Sequence, residues 1–280
     1  MTLTGKARLA GVMGWPVAHS QSPRLHGYWL SEYGVDGAYL PLAVRPDDLA
    51  AALRALPVLG FRGVNLTLPH KERALALCDE VSEPARRIGA VNTIVVDEDR
   101  RLVGSNTDAF GFLANLRDVS DWRADAGPAV VLGAGGAARA VAVALSDAGV
   151  ESIALINRTA SRAEALAQTL GGAVHAVPWA ARADALAGAA LLVNTTTLGM
   201  SGQPPLELDL DALPGDAVVN DIVYAPLETP LLATARARGN PVVDGLGMLL
   251  HQARPGFEAW FGVRAEVTAA LRDFVLDGLH

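Results

Sequence analysis

The stretch that most restricts the fold is nine residues long. Val130-Val131-Leu132-Gly133-Ala134-Gly135-Gly136-Ala137-Ala138 passes from an unbroken apolar run through a glycine turn into an alanine-rich segment that reaches Ala148. An apolar run without alternation reads as a strand buried on both faces, the kind found in parallel sheets covered by helices. The spacing G-x-G-x-x-A fits a strand–turn–helix unit. The first glycine makes the tight turn, the second lets backbone approach a pyrophosphate, and Ala138 permits close packing of helix on strand. The helix N-terminus would offer free N–H groups to the phosphate oxygens. The same glycines also suit a βα turn with no ligand.

The end of the next strand bears on which dinucleotide fits. NAD folds usually place Asp or Glu there, about 20 residues after the glycines, to hold the ribose hydroxyls. Here the chain reads Leu155-Ile156-Asn157-Arg158-Thr159, with Arg162 following and no acid in place. A guanidinium matches a 2′-phosphate in bidentate fashion, which favours NADP over NAD. The plainer alternative is a surface arginine after a strand.

Around this unit, short apolar runs alternate with helix-length segments, which reads as α/β. In the first third, strands are expected at Leu9–Met13, Ala38–Leu42, Val64–Leu66 and Thr93–Val96, the last forming a hairpin with Arg101–Val103. Helices are expected at Pro23–Tyr33, Pro46–Leu56, His70–Cys78 and Pro84–Ile88. Beyond Ala129 the pattern gives strands at Ala129–Leu132, Ser152–Ile156, Ala190–Asn194, Ala217–Val219 and Pro241–Val243, with helices at Ala137–Ala148 and Ser161–Leu170. Two closing helices are expected at Met248–Phe261 and Ala265–Leu279. They have no strand of their own to cover and so are expected to pack back on the first domain. Domain edges fall near Asp108 and Gly247, giving domains 1–107 and 108–247 and closing helices 248–280.

Composition narrows the partners. A length of 280 residues with 51 % hydrophobic and 19 % charged residues supplies ample core for two domains. The net charge of −7 leaves no basic footprint for nucleic acid or anionic lipid. The lone Cys78 excludes an internal disulfide and a multi-cysteine metal site, and it reads as a small core residue. The six histidines show no spacing that argues for metal. No apolar run approaches the roughly 20 residues of a membrane span, and the start lacks an apolar signal segment. These features point to a cytoplasmic protein acting on a small molecule; a monomer or homodimer is expected, though composition does not fix the oligomeric state.

Lys6 and Lys71 are the only lysines; every other basic residue is arginine. A retained lysine can release a proton near neutral pH, which an arginine cannot. In Asn65-Leu-Thr67-Leu-Pro69-His70-Lys71 the lysine falls in the first turn of an expected helix, at the end of the dipole that disfavours a cation. A lysine so placed suits acid–base work or anion stabilisation; a solvated lysine is the alternative. Ser20-Gln-Ser22-Pro23 opens a helix with Ser22 as N-cap, and Ser20 and Ser22 also offer hydroxyls to a carboxylate there. Asp108 in Asn106-Thr-Asp108 reads as an N-cap or as a partner for Lys71. Asn92 reads as an amide at a strand start or, equally, as a turn residue. Gln252, in a helix of mainly apolar neighbours, reads as a partnered buried polar group or a plain surface residue.

Taken in order, these segments resemble the shikimate dehydrogenase family over nearly the whole chain. Gly14-Trp-Pro16-Val-Ala-His19-Ser20-Gln-Ser22-Pro23 is similar to its opening G-N-P-x-x-H-S-x-S-P, with Trp15 in place of Asn. Asn65-Leu-Thr67-Leu-Pro69-His70-Lys71 is similar to N-V-T-x-P-x-K. Gly89-Ala-Val-Asn92-Thr93, Gly104-Ser-Asn106-Thr-Asp108, Gly133–Ala137, Asn157-Arg158-Thr159, Asn194-Thr-Thr196-Thr-Leu-Gly199-Met200, Asp221-Ile-Val-Tyr224 and Asp244-Gly245-Leu-Gly247-Met248-Leu-Leu-His-Gln252 follow in register, with Thr195 in place of Ala.

The resemblance implies reversible NADPH-dependent reduction of 3-dehydroshikimate to shikimate, in aromatic amino-acid synthesis. It implies a catalytic pair, Lys71 and Asp108. Ser20 and Ser22 would bind the substrate carboxylate with Tyr224 and Thr67 nearby, and Asn92, Asp108 and Gln252 would hold the ring hydroxyls. Gly133, Ala134, Gly135, Gly136, Ala137, Asn157, Arg158, Thr159, Arg162, Ile222, Gly245 and Met248 would line the NADP site. It implies an N-terminal, mainly parallel α/β substrate domain and a Rossmann-type NADP-binding domain with a cleft between them. A quinate/shikimate dehydrogenase with relaxed substrate and NAD use is the alternative within enzymes. A non-catalytic metabolite sensor is the alternative outside them; retention of Lys71 and Asp108 and the lack of a basic extension count against it.

Overall fold

The computed structural model describes residues 3–279. They divide into two compact units, one formed by the residues up to Thr107 with those from Gln252 onward, the other by Asp108–His251. The first begins with β1 (Arg8–Gly14), α1 (Ser22–Glu32), β2 (Gly37–Ala43), α2 (Leu49–Ala55) and β3 (Phe61–Leu66). It continues with β4 (Glu80–Val81), α3 (Glu83–Ile88), β5 (Thr93–Val96) and β6 (Leu102–Ser105). Its six strands run in the order β2-β1-β3-β5-β6-β4. The pairs β1–β2, β1–β3 and β4–β6 are parallel, while β3–β5 and β5–β6 are antiparallel.

Leu49, Leu53 and Leu56 recur at helical spacing and close over Met13, Val64, Leu66, Ile94 and Leu102 on one face of this sheet. The expected helix over His70–Cys78 does not form; only a four-residue 3-10 turn, Arg73–Ala76, is present. The hydrogen bonds give the reason. The Lys71 carbonyl accepts from Val91 N–H at 2.8 Å, and Leu75 N–H, its α-helical partner, donates instead to Glu72 O. A segment this short has too little helical stability to resist one tertiary bond.

The second unit comprises α4 (Asp108–Val119), β7 (Ala129–Leu132), α5 (Gly136–Asp147), β8 (Ile153–Asn157), α6 (Ala160–Leu170) and β9 (Val174–Pro178). It is completed by β10 (Leu191–Asn194), β11 (Val218–Asp221), α7 (Pro230–Ala237), β12 (Val242–Val243) and the start of α8 (Leu246–Phe261). All its strands are parallel, in the order β12-β11-β10-β7-β8-β9. This is the doubly wound Rossmann order, whose switch point lies between β7 and β10. Every residue of β7, β10 and β11 is buried, which requires helices on both faces. Periodicity does not reveal β4, β9 or α7: β4 is two residues long, and β9 ends on a proline at the sheet edge.

From Gln252 on, α8 belongs to the first unit, where Trp260 Nε1–H donates to Ile94 O at 3.0 Å. The final helix, α9 (Ala269–Leu276), lies beside α1. Arg24 stacks its guanidinium 4.0 Å from the Phe274 ring centroid, and Gln21 donates to Gly278 O. No helix among the described residues is long and apolar enough to cross a membrane.

Candidate active site

In the first unit the predicted polar residues gather around the C-terminal end of β3 and the start of β5. Thr67 follows β3 directly and its N–H donates to Met13 O at 2.9 Å. His70 is fully buried, with Nε2 2.8 Å from Val44 O. Together with the Val91–Lys71 bond, this fixes the main chain at Lys71. Lys71 therefore projects from a pinned turn and not from a helix N-terminus, so the dipole argument for it has no helix to rest on.

Asn92, at the start of β5, is 2 % exposed. Its Oδ1 accepts from Thr107 N–H at 2.9 Å and Thr93 Oγ1–H at 2.9 Å, and its Nδ2 reaches Thr107 Oγ1 at 3.0 Å and Gln252 Oε1 at 3.4 Å. Asn65 joins the same network, donating from Nδ2 to Asn92 O and Thr93 Oγ1 and accepting at Oδ1 from the Tyr39 hydroxyl at 2.7 Å. Asn92 and Gln252 are thus brought together.

Ser22 is the first residue of α1 and not its N-cap. Gln21 holds the cap position, with no side-chain cap bond. The N–H of Ser22 donates to Ser20 Oγ at 3.3 Å, linking the two serines. Asp108 likewise opens α4 as its first helical residue and is 7 % exposed, in the second unit.

The glycine turn of the second unit packs tightly against the loop after β10. Gly133 has φ +118°, and a Cβ there would fall 2.4 Å from Thr195 Oγ1. Gly135 is the cap residue of α5, in extended conformation, so the first N–H groups of that helix face the turn. Gly133, Ala134, Gly135, Asn157, Arg158, Trp179 and Thr195–Leu198 line one cavity of about 200 Å³ at the carboxyl ends of the strands. Thr159 is the N-cap residue of α6, and Arg162 lies in its first turn. Arg158 and Arg162 are exposed. Gly136 and Ala137 open α5. Farther along the sheet, a Cβ on Gly245 would lie 2.2 Å from Ile222 O, so glycine is required there as well. Met248, in the first turn of α8, packs on the apolar core.

Asp221, at the end of β11, accepts from Asn194 Nδ2 at 3.0 Å, Val223 N–H at 3.0 Å and Thr229 Oγ1–H at 2.7 Å. Burial pushes its carboxyl up, and these donors act in the opposite direction. Burial likewise raises the Tyr224 phenol. Among the described residues no group of three or more His, Cys, Asp or Glu is placed to hold a metal ion.

Three family models match the chain: the shikimate dehydrogenase substrate binding domain over residues 12–94, shikimate / quinate 5-dehydrogenase over 118–199, and the shikimate 5′-dehydrogenase C-terminal domain over 245–272. A shikimate dehydrogenase (NADP(+)) of Paramagnetospirillum magneticum is 64 % identical, covering 98 % of this chain and 100 % of its own. The chain belongs to the shikimate dehydrogenase family. Among solved structures, shikimate 5-dehydrogenase from Thermus thermophilus in complex with NADP(H) and shikimate is 41 % identical with TM-score 0.85, covering 97 % of this chain and 98 % of its own. Quinate dehydrogenase from Corynebacterium glutamicum in complex with NAD is 35 % identical with TM-score 0.90, covering 97 % and 99 %.

Both departures from the family pattern have a visible setting. Trp15 is 43 % exposed, with the Arg45 guanidinium 5.4 Å from its ring centroid. Thr195 donates to Leu132 O at 2.6 Å, which ties the loop after β10 to the end of β7. The structure adds Tyr39, Asn65, Thr107, Trp179 and Thr195–Leu198 to the residues picked out from sequence. Asn65 lies inside a motif, at a strand position where an amide carries no signal of its own. Trp179 has no sequence signal, because the edge strand β9 that delivers it ends on a proline and lacks a strand pattern.

Proposed function

We propose that this protein is an NADP-dependent shikimate dehydrogenase, reducing 3-dehydroshikimate to shikimate and the reverse, in the route to aromatic amino acids. The observation that carries the reading is the buried amide and hydroxyl network of Asn65, Asn92, Thr93, Thr107 and Gln252 beside the pinned turn of Lys71. Fixed donors and acceptors of this kind suit a ring carrying several hydroxyls. Residues 1–107 and 248–280 serve the substrate and residues 108–247 the dinucleotide.

The residues of the second unit fit NADP: the glycine turn, where the backbone of Gly135 and Gly136 has open space beside it, the N-terminus of α5, and Arg158 and Arg162 where an acid would stand for NAD. Asn157, Thr159, Ile222, Gly245 and Met248 complete that surface. When bound, the dinucleotide supplies the hydride. Ser20 and Ser22, with Thr67 and Tyr224, receive the substrate carboxylate. Asn92, Asp108 and Gln252 orient the ring hydroxyls. Lys71 stabilises the negative charge that grows on the carbonyl oxygen and donates the proton, and Asp108 steadies the ammonium.

The deciding experiment offers purified protein shikimate or quinate, each with NADP⁺ or NAD⁺, and follows absorbance of the reduced cofactor. Shikimate with NADP⁺ should give the highest kcat/KM. Higher activity with quinate and NAD⁺ would overturn the assignment.

A further inference from the structure

We propose that Asn115 is a positioning residue for hydride transfer: from α4 it clamps the turn at 244–248 and so fixes where the nicotinamide ring can rest. This rests on the reading that Ile222, Gly245 and Met248 line the cofactor site.

Asn115 lies on the buried face of α4, 2 % exposed, in line with Asp108, Gly111, Phe112 and Leu116. A buried amide in that place is costly unless it is hydrogen-bonded. Its partner is the turn that follows β12. Asp244 O is a carbonyl and accepts only, so the Asn115 group 2.8 Å from it is Nδ2. The amide oxygen then faces Gly247 and fills the space a side chain would take. A Cβ on Gly247 would lie 1.7 Å from Asn115 Oδ1, and the three nearest atoms it would meet all belong to Asn115. Gly247 does not occupy the left-handed region, so the reason for glycine there is Asn115 and not backbone conformation.

The same turn is held on its other side by the end of β11. A Cβ on Gly245 would meet Ile222 O, and Asn220 Nδ2 donates to Val243 O at 3.0 Å. Leu246 N–H donates to Asp244 Oδ1 at 3.0 Å. The segment is therefore gripped between β11 and α4, at the carboxyl ends of parallel strands, where α/β sheets bind their ligands. The Gly245 contact is backbone against backbone, whereas the grip from α4 is one side chain.

That side chain also ties the turn to Asp108. Asp108 opens α4, and Asn115 follows seven residues later, two turns along the same face and about 10 Å on. One helix thus carries the carboxylate assigned to the catalytic pair and the amide that sets the cofactor-side turn. Without the amide the turn can relax toward α4, and a ring resting on it moves relative to Asp108. A misplacement of about 1 Å can cost about a hundredfold in rate. Affinity for the dinucleotide comes chiefly from its phosphates, held at the glycine turn and Arg158, and should respond little.

The test is stopped-flow single turnover of shikimate with NADP⁺ by Asn115→Ala, Gly247→Ala and the double variant. Each single substitution should lower the rate constant for hydride transfer about ten- to hundredfold, Asn115→Ala by leaving a gap and Gly247→Ala by expelling the amide. KM for shikimate and Kd for NADP⁺ should move by less than about threefold. In the double variant the new methyl group occupies the vacated space, so its rate constant should exceed that of either single by about fivefold. Rate constants separate position from stability, because a smaller folded fraction lowers the amplitude of the turnover and leaves its rate constant alone. A wild-type rate constant in Asn115→Ala, at full or reduced amplitude, overturns the proposal. So does a double variant slower than both singles, or a loss carried wholly by Kd for NADP⁺. Gly247→Ala, which keeps every polar group, serves where Asn115→Ala does not fold, and a wild-type rate constant there overturns the proposal equally. Wild-type protein inactive on shikimate overturns the parent reading, whereas active wild type with these negative results overturns this inference alone.

Discussion

Lys71 is retained in a chain that otherwise writes nearly every cation as arginine, and its backbone is fixed by the Val91 bond. Lys71→Ala should lower kcat by about two to four orders of magnitude, the usual scale of a lost acid–base group, with a smaller effect on KM. Lys71→Arg keeps the charge but releases a proton poorly, so it should also be slow. On the proposed function Lys71 and Asp108 work as one catalytic pair, so Asp108→Asn should reduce kcat, and the double variant should lose less than the product of the singles. Steady-state kinetics on the four proteins decide this; strictly multiplicative losses would show that the two are independent. Arg158 lines the cavity beside the glycine turn, whose lining has no acidic residue to compete for it. Arg158→Ala should weaken NADP⁺ by roughly 1.5–3 kcal/mol and NAD⁺ far less, as titration of each cofactor would show. These residues could be picked out because rarity and motif position single them out. The sequence favours Ser22 as an N-cap and leaves Asp108 as cap or partner; both instead open their helices, because S-P before a helix, and an acid at its start, suit cap and first-turn positions alike.

At the scale of elements, legibility followed repetition. The βαβ units of the second unit stood out because their strands are uninterrupted apolar runs and their helices are long. The helix expected over His70–Cys78 failed because a bond from Val91, twenty residues away in sequence, outcompeted the local one. The β11–α7 junction was likewise invisible, since its stability comes from one buried carboxylate and its donors. Thr229 there is 0 % exposed, donates to Asp221, and accepts from Leu232 N–H as the N-cap of α7. Thr229→Ala removes both bonds and should cost about 2–4 kcal/mol in denaturant unfolding near neutral pH, whereas Thr229→Ser should lose little. The loss should grow between acid and neutral pH. Burial raises the Asp221 value, so the protein loses stability from this group as pH rises through it. The Thr229 hydroxyl favours the ionised form and offsets part of that loss, so without it the folded value rises further and the defect is largest where the carboxyl is ionised. A Thr229→Ala defect that is equal at both ends of the range would remove Asp221 from the explanation.

For the whole molecule, the two α/β units and the return of the closing helices to the first sheet could be anticipated from pattern, because a helix pair with no strand of its own must find an apolar face elsewhere. The aromatic centre that receives them could not, since His26, Trp29, Tyr39, Phe257 and Trp260 come from segments more than two hundred residues apart. That centre has a consequence for stability against acid. His26 is fully buried and neither ring nitrogen has a hydrogen-bond partner. Burial lowers its pKa from 6.5 to about 3, so the folded protein keeps it neutral. The unfolded chain takes up the proton below about pH 6.5 and the folded one does not, so stability falls as pH drops through that window. At pH 5 the loss from this one group should be about 2 kcal/mol relative to pH 7.5. His26→Phe fills the same place with an apolar ring that stacks on Tyr39 and carries no titratable group. Unfolding free energies measured from pH 7.5 to 5 should therefore slope downward in the wild type and be flatter by about that amount in His26→Phe. Parallel slopes in the two proteins would show that the ring is protonated without difficulty in the folded state, and that the aromatic centre is open to water.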